Sequence, residues 1–156
     1  MPWIAFLKSR AGGKLSDIEF LAIKEFGSKR VDVDDSLSSA LTGEKDLAVA
    51  TAASGKDMYL ASASFSFAKS SATADDVFMR LYINGTQIEE ITYQNLPQVP
   101  PGNNWQYEFK TKGVKVAATQ IIKITKEQVT TNNINFESKL VLFEEATGAT
   151  PQVTSI

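Results

Sequence analysis

The chain has 156 residues, 43% of them hydrophobic and 22% charged, with a net charge of −2. That length and balance suit one domain with a single core, and they exclude a disordered or fibrous body. The near-neutral charge argues against nucleic acid or an anionic membrane as partner, and the lack of cysteine and histidine removes disulfides, thiolate sites and the commonest general base.

The N-terminal apolar run from Trp3 to Leu7 is too short for a secretory leader, and no basic region precedes it. No window approaches the roughly eighteen apolar residues of a membrane helix. The expectation is a soluble product made in the cytoplasm without a leader. Trp3, Ile4, Phe6 and Leu7 have no clear strand register. They are candidate contacts with another subunit or a neighbouring protein, or else part of a first strand. The basic clusters "KSRAGGK" and "GSKR" are short, and the second runs into the acidic "DVDD".

"LSDIEFLAIKEFGSKRV" fits a helix through Ile18, Leu21 and Ala22, with Ser16 or Asp17 as cap and Gly27 as stop. It also alternates as a strand through Ile18, Phe20 and Ala22, the reading favoured because all that follows is β. Asp32, Asp34 and Asp35 resemble the opening of a calcium loop. Leu37 and Gly43 stand where that loop needs glycine and glutamate, which leaves only a looser oxygen-ligand set. "DDSLSSALTGEKD" reads as a loop. Residues 1–45 are therefore expected to form an N-terminal arm with room for one strand or a short helix.

From Leu47 the pattern is steady. "LAVATAA" alternates and stops at the turn "SGKD". "MYLASASFSFA" follows, with Tyr59, Ala61, Ala63, Phe65 and Phe67 expected on an inner face and Ser62, Ser64 and Ser66 on the other. "VFMRLYI" and "QIEEITYQ" flank Asn84-Gly85, the strongest short-range hairpin signal. "NLPQVPPGNN" must be a surface loop. "WQYEFKT" places Trp105, Tyr107 and Phe109 on one face, and Lys112-Gly113 turns into "VKVAA". "QIIKITKEQV" and "INFESKLVLFEE" are joined by the turn "TTNN". The sum is an antiparallel β-sandwich of eight or nine strands over residues 46–146, followed by an extended tail, 147–156.

Catalytic patterns are sparse. Ser66 and Lys69 match S-x-x-K, but on a strand the two point to opposite sides. Four adjacent acid pairs, Asp34-Asp35, Asp75-Asp76, Glu89-Glu90 and Glu144-Glu145, could supply glycosidase carboxyls only if two faced each other across a cleft. "NGT" at Asn84–Thr86 matches a glycosylation acceptor, yet the hairpin explains it. No phosphate-binding or dinucleotide motif occurs, no cofactor is expected, and the chain reads as a non-enzyme. One loop could mediate binding: Pro97, Pro100, Pro101, Asn103, Asn104 and Trp105 form a proline-stiffened segment ending on an aromatic. Its bland reading is a crossover with Trp105 in the core.

"TAASGKDMYLASASFSFAKSSATADDVFMRLYINGT" (Thr51–Thr86), with the later "KGVKVAATQIIKI" and "KLVLFEE", resembles the small jelly-roll proteins of tailed phages and other prokaryotic viruses. Tumour necrosis factor-like jelly rolls are a more distant likeness. The resemblance covers residues 47–145 and implies jelly-roll topology and a role as capsid decoration, spike or fibre-head protein in the virion. It also implies a homo-oligomer, with a trimer favoured, docked on neighbouring capsid proteins. Ser62, Ser64 and Ser66, small and uncharged, would then suit close approach by a neighbouring subunit. The alternative is a ligand-binding module that recognises a glycan, such as one on the host surface, or a cell-surface partner through the Pro97–Trp105 loop and its neighbours.

Overall fold

The computed structural model describes residues 29–69, 75–96 and 104–147. Nine strands and no helix occur among them: β1 (Lys29–Ser39), β2 (Gly43–Thr51), β3 (Lys56–Lys69), β4 (Asp75–Ile83), β5 (Thr86–Leu96), β6 (Asn104–Glu108), β7 (Lys115–Val116), β8 (Ile121–Gln128) and β9 (Ile134–Ala146). Every pairing is antiparallel.

Two sheets result, one ordered β1-β9-β3-β6 and the other β2-β8-β4-β5. β7 also pairs with β3, alongside Met58 and Tyr59, while β6 runs beside Ser64–Ala68. The two short strands thus share a single strand position. Successive strands mostly switch sheets, the β4–β5 hairpin being the main exception, and this order is that of a double-sheet jelly roll. The hairpin turns on Asn84 and Gly85, both at positive φ (48° and 79°), as a type I′ turn requires.

Alternation explains the layers. Val77, Met79, Leu81 and Ile83 of β4 face Phe65, Phe67, Phe136, Leu140 and Leu142 of the opposite sheet across one continuous core. Phe67 and Phe136 lie 5.9 Å apart, and Tyr93 meets Phe67 edge-on at 5.0 Å. Such contacts add to the stabilisation from burial itself.

Two expectations need correction. The segment read as a loop from Asp34 to Asp46 is mostly strand, and β1 and the opening of β2 carry the sandwich back to Lys29, so residue 46 falls inside β2. Val31, Val33 and Leu37 of β1 pack against the core, but charged and small polar neighbours on this edge strand hide their alternation. Tyr59 and Ala61 do not share the inner face with Phe65. The register shifts between Leu60, opposite Leu142, and Ser62, opposite Val141, which leaves Ala61 as the extra residue of a bulge. Met58 and Leu60 are inward before it, and Ala63, Phe65 and Phe67 after it.

Trp3, Ile4, Phe6, Leu7, Pro97, Pro100, Pro101 and Asn103 lie outside the described residues, as does the tail beyond Thr147. For Asn104 and Trp105 the strand register is defined: they stand opposite Ala68 and Phe67.

Candidate functional site

The outer face of the β1-β9-β3-β6 sheet carries a shallow groove of about 760 Å³. Strand alternation and register build it from two rows of side chains. One row runs Ser36, Glu137, Ser66, Gln106, and the next runs Asp34, Lys139, Ser64, Glu108. Three inter-strand gaps of about 4.8 Å give it a length of about 14 Å across the strands. Phe65, Tyr107 and Ser138 also line it. Their register is inward, with Ser138 Oγ accepting from the Ala48 N–H on the core side at 3.0 Å, although Tyr107, at the sheet's edge, stays 53% exposed.

Each acid in the groove has a local partner. Asp34 pairs with Lys139 at 3.4 Å and Glu108 with Lys112 at 3.2 Å. Asp35 accepts from the Ser36 N–H at 2.8 Å, and Ser66 Oγ donates to Glu137 at 3.3 Å. The groove is thus polar, with two of its four acids paired to lysines and two held by neutral donors. Its hydroxyls and the Gln106 amide both donate and accept. Of the serines expected on this face, Ser64 and Ser66 lie in the groove, while Ser62 stands one row beyond, opposite Val141.

The other sheet's outer face is built differently. Arg80 donates to Glu90 and Glu127, both at 2.6 Å, and lies 3.6 Å from Glu44. Its guanidinium also sits 5.3 Å from the Phe78 ring. Burial works against its charge, but the bonds to Glu90 and Glu127 outweigh burial and hold Arg80 above its ordinary pKa. Burial likewise disfavours the Glu44 carboxylate, yet the Thr125 and Tyr82 hydroxyls and the Arg80 charge bring its pKa below the usual value. Lys123 closes the face by pairing with Asp46 at 2.6 Å.

Several acids singled out in the sequence, Asp75, Glu89 and Glu90, are parts of the scaffold. Neighbours on a strand point to opposite sides, so no pair forms two carboxyls across a cleft. Glu89 accepts from the Lys110 and Thr111 N–H groups and the Thr111 hydroxyl, tying β5 to the segment after β6. Buried Asp75 accepts from the Thr130 N–H and hydroxyl and holds the turn before β9. Glu90 belongs to the Arg80 cluster. Asp32 is bound by Arg30 at 2.9 Å, and Asp32, Asp34 and Asp35 do not converge on one point. No group of three or more metal-ligating side chains occurs among the described residues. Ser66 is outward and Lys69 buried on the inner side, as strand alternation requires.

Sequence reasoning missed Lys126. It stands on the core face of β8, wholly buried, and donates to the Leu41 carbonyl at 2.7 Å and the Gln128 side chain at 2.9 Å. Its ammonium lies 5.2 Å from the Phe136 ring. Burial, then repulsion from Lys45, pushes its pKa down to about 8 against the pull of Asp75. The signal was present: Lys126 shares strand parity with Ile122 and Ile124.

No family model and no curated protein matches the sequence. Among solved structures, the chain is similar to one of the infectious bursal disease virus Gx strain, at 12% identity and TM-score 0.46, covering 80% of this chain and 34% of that one. It is also similar to TmCBM61 in complex with β-1,4-galactotriose, at 12% identity and TM-score 0.38, covering 76% and 70%. An exo-β-1,3-galactanase from Phanerochaete chrysosporium shares 12% identity at TM-score 0.33, covering 75% and 27%. The chain spans about a third of the length of the viral chain it matches. These likenesses concern the arrangement of strands alone.

Proposed function

We propose that the chain is a non-catalytic structural component of a virus particle that forms a homo-oligomer, a trimer, and docks on neighbouring capsid proteins. The observation that carries this reading is the strand order β1-β9-β3-β6 over β2-β8-β4-β5, an architecture shared by viral capsid and lectin domains. The use of Asp75, Glu89 and Glu90 as ties within the scaffold agrees with it. Residues 1–28 precede the first described strand, and Trp3, Ile4, Phe6 and Leu7 serve as the capsid anchor.

The test separates anchor from sandwich. Removing residues 1–28 keeps β1, which a cut at residue 45 would destroy. The shortened chain is expected to unfold cooperatively and to keep the native mass of the oligomer, yet no longer bind capsid shells assembled from proteins encoded beside its gene. Trp3→Asp with Phe6→Asp in the full chain is expected to do the same. A full-length chain that is monomeric and ignores such shells overturns the reading.

A further inference from the structure

We infer that the groove on the outer face of the β1-β9-β3-β6 sheet binds an uncharged, linear oligosaccharide lying along β3, between the side chains of β9 and β6. Its volume, about 760 Å³, is that of a small-ligand site, and its walls come from four strands of a rigid sheet rather than from loops. The floor over Ser64 and Ser66 is low because serine is small, while Glu137 and Lys139 on one side and Gln106 and Glu108 on the other stand above it. A chain of rings can therefore settle between them.

The chemistry of the lining chooses the ligand. Asp34, Asp35, Glu108 and Glu137 outnumber Lys139, which turns away phosphate, uronate and nucleic acid. Asp34 and Glu108 already face lysines, whereas Asp35 and Glu137 hold only neutral donors, so a basic peptide is the competing ligand that oligolysine tests. What remains are spare carboxylate lone pairs, serine hydroxyls and a primary amide. Vicinal sugar hydroxyls, each a donor and an acceptor, complement such a set without a change of charge. This site is distinct from the Pro97–Trp105 loop, and it assigns Ser64 and Ser66 to a ligand.

The inference stands apart from the capsid reading, since a chain that joins shells but ignores sugars fails here alone. The test titrates the isotope-labelled full chain with short neutral β-1,3- and β-1,4-linked oligomers of glucose, galactose, xylose and mannose, with an oligogalacturonate and with oligolysine. At least one neutral oligomer is expected to shift the backbone amides of Ser64, Ser66, Gln106 and Glu137 saturably, with an affinity insensitive to salt. Gln106→Ala and Glu137→Ala are each expected to weaken it roughly tenfold, about one hydrogen bond's worth, with unchanged thermal unfolding. Ser64→Trp, which fills the floor, is expected to abolish it. Three results overturn the inference: no neutral oligomer moves these amides, binding survives Gln106→Ala and Glu137→Ala undiminished, or only oligolysine binds, with an affinity that collapses as salt rises.

Discussion

The two outer faces of the sandwich use charge in opposite ways. On the β2-β8-β4-β5 sheet a single guanidinium, only 14% exposed, is shared by three carboxylates, and the face is closed on itself. On the β1-β9-β3-β6 sheet the pairs are looser and more exposed, with 44% and 66% of the Lys139 and Asp34 side chains open to water, and a groove lies among them. The contrast teaches that the same residue types stabilise one face and equip the other. Where a cation is central and shielded, its partners become structure. Where small side chains hold the partners apart, polar groups stay available.

The contrast also runs through β3 itself, between buried Phe67 and groove-lining Ser64. Phe67→Ala is expected to cost about 3–5 kcal/mol in urea unfolding, whereas Ser64→Ala should change stability by less than about 0.5 kcal/mol. A large loss from Ser64→Ala would mean that the groove floor is structural.

Arg80→Met leaves three carboxylates without their shared cation and is expected to cost about 2 kcal/mol. Lys139→Met, in the exposed pair, should cost under about 1 kcal/mol. Equal losses would erase the distinction between the faces.

Acid should attack both the closed face and the tie from β5 to the segment after β6. Glu44 and Glu89 both have pKa values below the ordinary 4.5. For Glu89, burial opposes the charge but is outweighed by the N–H groups of Lys110 and Thr111 and the Thr111 hydroxyl. A carboxylate lowered in the folded state contributes stability that is complete above its unfolded pKa and is lost as pH falls through the folded value. The urea midpoint is therefore expected to fall below pH 4.5, and to fall less steeply in Arg80→Met, which has already lost one of the groups holding Glu44 down. A profile unchanged by Arg80→Met would detach Glu44 from the cluster.

The smallest effect is expected at the margin where β5 and β6 meet. The Tyr93 hydroxyl is buried with no hydrogen-bond partner among the described residues, and burial, with Tyr107 nearby, pushes its pKa to about 12. Tyr93→Phe removes an unsatisfied group while keeping the ring contacts, so thermal unfolding should be unchanged or raised by about 1 kcal/mol. A loss of stability would reveal a partner for that hydroxyl.

Much of this fold was legible in the sequence, because alternation and the Asn84-Gly85 turn are local signals. β1 was not, since an edge strand with one face in water tolerates Asp34, Asp35 and Ser36 where a central strand would carry valines. The bulge at Ala61 was silent because the extra residue is small and sits among other small residues. The groove could not be read as a unit. Its walls come from residues 34–36, 64–66, 106–108 and 137–139, brought together only by the register of three pairings. Its serine floor was legible, but not the charged walls that make it more than a flat surface.

Ala61 acts as a phase shifter in the longest strand. Upstream of it one parity of side chains meets the core, and downstream the other does, so the two ends of β3 follow separate frames. Deleting this one alanine would merge the two frames into one regular alternation that keeps Met58, Leu60, Ala63, Phe65 and Phe67 inward. A one-residue deletion elsewhere in β3 would instead turn the side chains beyond it to the other face, whereas a substitution in either half stays local.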